Sequence, residues 1–126
     1  MRELDIIFED GAQPEPHELQ TGLFLRKSGR VVKFLAPKNL NGVKTPDILM
    51  DGLLWEIKSP VSAGSRTIEH ALRSASKQSV NVIFDLRRFK ASDEKALRQI
   101  NFTAKKRTAI KKLLIVTKSE KLIDFK

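Results

Sequence analysis

Hydrophobic positions along the chain switch between two periods. Leu19, Leu23 and Phe24 in "HELQTGLFLRKSG" recur at helical spacing and run up to Gly29, which predicts a first helix closed by a glycine cap. "RVVKFLA" is dense in β-branched and aromatic residues and reads as a strand, and "PKNLNGVKTP" after it is a loop marked by Pro37, Asn41-Gly42 and Pro46. In "TPDILMDGLLWEIKSP" two apolar runs flank Asp51-Gly52, the signature of a hairpin whose two-residue turn needs positive φ at both central positions. "RTIEHALRSASKQ" places Ile68, Ala71, Leu72 and Ala75 on one helical face, so an amphipathic helix should lie against a sheet. "NVIFDL" is a buried-type strand. Ser92-Asp93-Glu94 supplies an N-cap with acids in the first turn for a third helix, through Leu97, Ile100 and Ala104 to Lys105-Lys106-Arg107. "KLLIVTK" and "KLIDF" are terminal strands that pair around Ser119-Glu120.

The order helix, strand, hairpin, helix, strand, helix, two strands implies an α/β fold: a three-layer α/β/α sandwich with a mixed central sheet and helices on both faces. At 126 residues the chain is expected to be one domain, 1–126, with 1–14 a flexible acidic N-terminal segment. No repeat, low-complexity tract or linker divides it. The absence of cysteine excludes a disulfide framework, a thiolate zinc site and a cysteine nucleophile. No apolar run approaches a membrane span, and "MRELDIIFED" lacks the basic-then-apolar order of a secretory signal.

Charge changes the picture. Lys and Arg number 24 against 15 Asp and Glu, a net +9, and the distribution is uneven. Residues 1–18 hold one basic and six acidic residues, so they sum to −5 and the remainder carries +14. A body this basic attracts phosphate backbones or anionic membranes, although solubility alone also favours net charge.

The hairpin carries the candidate chemistry. With Asp51 and Gly52 as the turn, Met50 faces Leu53, and continuing the count puts Asp47 directly across from Glu56 and Thr45 across from Lys58. Directly opposed residues have Cβ atoms roughly 4.5–5.5 Å apart, where like charges destabilise a sheet. Glu56 and Lys58 share a face by strand alternation, and Trp55 and Ile57 point into a core. Two carboxylates so close want a shared proton or a cation between them. Without cysteine, hard oxygen ligands suit Mg²⁺ or Mn²⁺, which keep several waters and accept a phosphate oxygen. Lys58 is then placed to orient an attacking water or to stabilise charge developing on phosphorus. The alternative is that Asp47 caps a turn and that Glu56 and Lys58 form a surface ion pair of little energetic weight.

Pro46-Asp47 followed nine positions later by Glu56-Ile57-Lys58, with an acid-bearing helix upstream and an amphipathic helix downstream, resembles the PD-(D/E)xK nuclease superfamily. The order helix, three-stranded meander, helix, strand over residues 15–86 is similar to its restriction-endonuclease-like core. The phrases "GVKTPDILMDGLLWEIKSP" and "RTIEHALRSASKQSVNVIFDLRR" resemble a narrower branch, the C-terminal toxin domains of contact-dependent growth inhibition and related polymorphic systems, several of which cut tRNA. The resemblance implies that Asp47, Glu56 and the main-chain carbonyl of Ile57 ligate the metal and that Lys58 is the catalytic lysine. It matches Glu18 to the helix glutamate that supports the metal or its waters, although acids near a helix start are favoured anyway. The downstream helix of many relatives presents Gln and an aromatic four residues on. Here Ser74 and Gln78 stand four apart without an aromatic, which leaves Gln78 a candidate phosphate contact.

Thr45 and Ser59 flank the site and are candidates to hold Lys58 or the scissile phosphate. Arg66, Arg73 and Lys77 on the downstream helix, and Arg87, Arg88 and Lys90 after the following strand, form a candidate phosphate-tracking surface that a solvated basic face explains nearly as well. His17 and His70 lack partners at ligand spacing. The expectation is a metal-dependent endonuclease acting on RNA, with tRNA favoured, and a DNase of phage, repair or restriction type as the first rival. A non-catalytic nucleic-acid-binding module is the second. A cell making such a domain needs an inhibitor, so an acidic immunity protein is an expected partner. The domain is expected to be a fragment of a secreted effector delivered to the target-cell cytoplasm.

Overall fold

The computed structural model describes residues 6–37 and 45–126. The predicted loop turn at Asn41-Gly42, and residues 1–5 of the acidic segment, lie outside the described residues. The elements are β1 (Ile7–Phe8), α1 (Pro16–Lys27), β2 (Val32–Phe34), β3 (Ile48–Met50), β4 (Leu53–Lys58), α2 (Thr67–Ser76), β5 (Asn81–Asp85), α3 (Asp93–Ala104), β6 (Lys112–Val116) and β7 (Leu122–Asp124). Among the described residues seven strands form one mixed sheet in chain order. β1 and β2 are parallel, β2–β3–β4 is an antiparallel meander, β4–β5–β6 is parallel, and β7 returns antiparallel to β6.

The element order read from the sequence holds, with one addition. Residues 7–8, inside the segment expected to be flexible, form the edge strand β1. Glu9 N–H donates to the Phe34 carbonyl at 2.8 Å, Ala36 N–H donates to Glu9 Oε1 at 2.7 Å, and Phe8 stacks on Phe34. Two residues carry no periodicity, so no hydrophobic pattern could announce this strand.

Each face of the sheet has its own core. Ile68, Leu72 and Ala75 of α2 and Ala96, Ile100 and Ala104 of α3 cover Val82, Phe84, Leu113 and Ile115. Leu25 of α1 covers the opposite face, over Phe34, Ile48, Trp55, Ile57 and Ile83. The parallel strand β5 is buried along its whole length, which is why "NVIFD" is nearly continuous in apolar residues. Ser92 caps α3 as read, accepting the Lys95 N–H. Gly22 lets α1 approach β2 closely, because a Cβ there would lie 2.7 Å from the Phe34 ring. Among the described residues no helix is long and apolar enough to cross a membrane.

This layering positions one cleft. At the carboxyl ends of β4 and β5, His17 and Gln20 of α1 line a cavity with Ser59 and Asp85, and Ser74 in the last turn of α2 meets Lys58; sheets with parallel strands present ligand sites at such ends.

Candidate active site

The hairpin turn is built as its residues require: Asp51 and Gly52 have φ of 55° and 76°. Pairing follows the predicted register through Met50↔Leu53, Leu49↔Leu54 and Ile48↔Trp55. Trp55 and Ile57 point into the α1-side core, whereas Glu56 and Lys58 are in register with Val82 and Phe84 of β5, whose side chains pack on the α2 side.

At Asp47 the structure departs from the expected pairing. The regular ladder stops at Ile48, and Asp47 donates its N–H to the Trp55 carbonyl at 2.9 Å, so it is not simply opposed to Glu56. Its carboxylate instead accepts the Ile57 N–H through Oδ2 at 2.8 Å. An extra residue at a strand end commonly re-aims a side chain in this way. Ile57 N–H and C=O leave β4 by the same edge, so the Ile57 carbonyl faces the same side of the strand as the N–H that Asp47 accepts. The capping role that sequence left open for Asp47 is thus partly realised, and it sets the carboxylate against the peptide N–H of Ile57, the residue between Glu56 and Lys58 in the chain.

Glu56 and Lys58 do not form a surface pair. The Glu56 side chain is only 5 % exposed, with its Oε2 3.6 Å from Lys58 Nζ. Lys58 Nζ also donates to Ser74 Oγ of α2 at 3.1 Å. Sequence reasoning singled out Ser74 only as the helix position four before Gln78; its contact with Lys58 follows from the helix face that α2 turns to β4. Glu18 accepts the Glu15 N–H through Oε1 at 2.9 Å, the helix-start role foreseen for it, and lines a cavity of about 180 Å³ together with Thr45 and Asp47.

The basic candidates divide. Arg66 is paired with Glu69 at 2.8 Å, with Arg73 4.0 Å from the same carboxylate, while Lys77 is exposed at the end of α2. Gln78 is half-buried, its amide 3.5 Å from the Ser74 carbonyl. Ser59 serves Arg88: its Oγ accepts from Nε at 3.0 Å and its carbonyl from Nη2 at 2.6 Å. His70 is exposed, and His17 lines a cavity with Ser59, Asp85, Arg87 and Arg88. Burial and the Arg88 charge hold the His17 imidazole below its ordinary pKa, against the opposing pull of Glu15, Asp47 and Asp85.

Sequence reasoning missed the buried cluster behind this cavity. Asp85 accepts a 2.6 Å bond from the Thr21 hydroxyl and a two-pronged grip from Arg87, Nε at 3.0 Å and Nη2 at 2.8 Å. Burial alone would raise the Asp85 carboxyl, but Arg87, Thr21 and the Arg87 backbone N–H outweigh it and leave the group below the usual carboxylate range. The one available signal was a charged residue ending the apolar run "NVIFD".

Among the described residues no cluster of three or more His, Cys, Asp or Glu side chains is arranged to hold a metal. The donors that suit one are two carboxylates and a carbonyl, a set that fits a hard cation retaining several waters and does not fit an all-protein cage.

Residues 44–122 match the family model described as contact-dependent growth inhibition CdiA C-terminal domain. The fold is similar to a chain of the CdiA-CT/CdiI toxin and immunity complex from Burkholderia pseudomallei, with a TM-score of 0.70 and 20% identity over 94% of this chain and 98% of that one. No curated protein sequence matches the chain at a significant level.

Proposed function

The chain belongs to the contact-dependent growth inhibition CdiA C-terminal domain family, and from that premise we propose that it is a toxin domain that cleaves RNA, tRNA above all, in a divalent-metal-dependent reaction. The observation that carries the reading is the convergence of three side chains on one peptide unit. Asp47 caps the Ile57 N–H at 2.8 Å, and Glu56 and Lys58 stand on either side of Ile57, 3.6 Å from each other.

Asp47, Glu56 and the Ile57 carbonyl would hold Mg²⁺ or Mn²⁺. A bound ion of this kind polarises a phosphoryl oxygen and acidifies a coordinated water. Lys58 keeps its ammonium at the cleft through Glu56 and Ser74 and stabilises the negative charge that grows on the phosphoryl oxygens as the bond breaks. Glu18, on the α1 wall beside Asp47, orients water entering the site. Partial burial of Glu56 and Lys58 strengthens each of these electrostatic effects relative to open solvent. The preference for RNA over DNA follows from the likeness of "GVKTPDILMDGLLWEIKSP" to toxin domains that cut tRNA.

The solved structural neighbour is a toxin and immunity complex. By the same logic this domain is neutralised by an acidic immunity protein that covers the basic cleft, and it acts in the target-cell cytoplasm after delivery by a larger secreted effector.

The test incubates purified protein with total tRNA and with plasmid DNA, each with Mg²⁺, with Mn²⁺ and with EDTA. Wild type should cut tRNA only with metal, and Asp47→Ala and Lys58→Ala should each lose at least about 100-fold of the rate, the scale of removing a group that acts on transition-state charge. Nicking of plasmid alone would move the assignment to a DNase. Binding of both nucleic acids without cleavage, unchanged in the variants, would make the domain a non-catalytic binder.

A further inference from the structure

Resting on the nuclease reading, we propose that the cavity beside the site is a second phosphate subsite, in which Arg88 grips a phosphodiester of the bound strand next to the one being cut. The cavity holds about 210 Å³ and is lined by His17, Gln20, Ser59, Asp85, Arg87 and Arg88. That is several waters' worth of space at roughly 30 Å³ each, room for a phosphate group with part of its hydration.

The two arginines look equivalent in the sequence and are opposite in the structure. Arg87 is spent. Its Nε and Nη2 hold Asp85, the same Nη2 donates to the Gln20 carbonyl at 3.1 Å, and its guanidinium lies 5.0 Å from the Phe24 ring centroid. The pair is neutral and locked. Arg88 is exposed, and among the described residues no carboxylate lies within ion-pair distance of it. The cavity therefore keeps one net positive charge, on Arg88.

Arg88 is also aimed. Ser59 takes two of its five N–H donors, one through the hydroxyl and one through the main-chain carbonyl, which fixes the guanidinium plane and leaves three donors for a ligand. A planar fork already immobilised loses little entropy when it takes an anion and matches a phosphate in two-point geometry. Ser59 directly follows Lys58 and His17 directly precedes Glu18, so this cavity is lined by the chain neighbours of the proposed site residues. A strand crossing from one to the other would present successive phosphates.

The test reads binding without cleavage. A labelled RNA oligonucleotide is titrated in EDTA between about 50 and 300 mM salt with wild type, Arg88→Ala, Arg88→Lys and Lys90→Ala, the last removing an equal charge from an exposed neighbour outside the cavity. Arg88→Ala should weaken binding about tenfold, as expected for loss of a charged hydrogen-bond pair. It should also lower the slope of log affinity against log salt by about 0.7, one phosphate contact to a single strand. Arg88→Lys should fall between, and Lys90→Ala should cost less than half the Arg88→Ala loss. Equal losses in Arg88→Ala and Lys90→Ala, an unchanged slope in Arg88→Ala, or no RNA binding by wild type overturns the subsite. Failure of wild type to cut tRNA with metal would instead overturn the nuclease reading, since the binding series contains no metal.

Discussion

Ser74 contributes one hydroxyl, yet it decides where the Lys58 ammonium rests, because the only other contact that ammonium makes among the described residues is Glu56 at 3.6 Å. A hydrogen bond from a charged donor is worth about 1.5 kcal/mol net at the low end, and that much at the transition state is roughly a tenfold rate effect. Ser74→Ala should lower kcat on tRNA by about that factor with KM and melting temperature unchanged, and Ser74→Thr should restore most of it. A change in KM alone would mean that Ser74 touches substrate and does not position Lys58. Gly22 makes a second case at this scale. An added methyl would meet the Phe34 ring at 2.7 Å, and overpacking of that kind costs about 1–3 kcal/mol, more than the roughly 1 kcal/mol alanine gains over glycine in a helix. Gly22→Ala should therefore lower the urea midpoint; an unchanged or higher midpoint would show that the ring moves aside freely. The register of Met50, Leu49 and Ile48 with Leu53, Leu54 and Trp55 was legible in the sequence because a two-residue turn fixes the pairing count. The departure at Asp47 was not, since a one-residue irregularity at a strand end leaves no trace in hydrophobic spacing.

The docking of α1 onto the sheet was legible only in outline. Leu19, Leu23 and Phe24 announced a helix, but the polar lock that holds it joins positions 64 and 67 residues apart, Thr21 with Asp85 and Gln20 with Arg87. Nothing local in a sequence marks such a pairing. Asp85 and Thr21 are both buried, and Asp85→Ala deprives the Arg87 guanidinium of its carboxylate. Arg87 is only partly buried and can be hydrated, so the loss is that of hydrogen bonds to a charged group, about 1.5–3 kcal/mol, which denaturant titration at neutral pH would measure. The pH dependence follows from the carboxyl's lowered pKa: burial raises it, and the bonds from Arg87 and Thr21 more than reverse that. A carboxyl bound more weakly to its proton in the folded state contributes stability that is complete above its unfolded value, about 3.9, and lost as pH falls through the folded value. The stability gap between wild type and Asp85→Ala should thus be full at pH 6 and narrow below about pH 4. A gap that stays constant into acid would show that the Asp85 charge is not what holds α1.

The whole molecule places the proposed site at the seam between its layers, with Glu18 and Asp47 lining a cavity beside α1 and Glu56, Lys58 and Ser74 on the α2 side. Its charge surrounds that seam. Composition revealed the polycation, +9 over 126 residues, but not which cations remain available, because Arg66, Arg87 and Arg30 are consumed by Glu69, Asp85 and Asp51. Lys77 just past α2 and Arg88 just past β5 are exposed and outside any ion pair among the described residues, and Arg73 on α2 is exposed with its nearest carboxylate 4.0 Å away. If each of these three neutralises one phosphate, the affinity for a single strand should scale with salt to about the power −2.1, on a contribution of roughly 0.7 per phosphate. Raising salt from about 50 to 200 mM should then lower kcat/KM on tRNA roughly 20-fold. The rate at saturating tRNA should hardly move, because Glu56 and Lys58 react from a partly buried, weakly screened position. Initial-rate kinetics across that range separate the two quantities. A kcat that falls in parallel with kcat/KM would place the screened charges at the reacting phosphate itself, and a flat kcat/KM would mean that the basic surface serves some purpose other than capturing the strand.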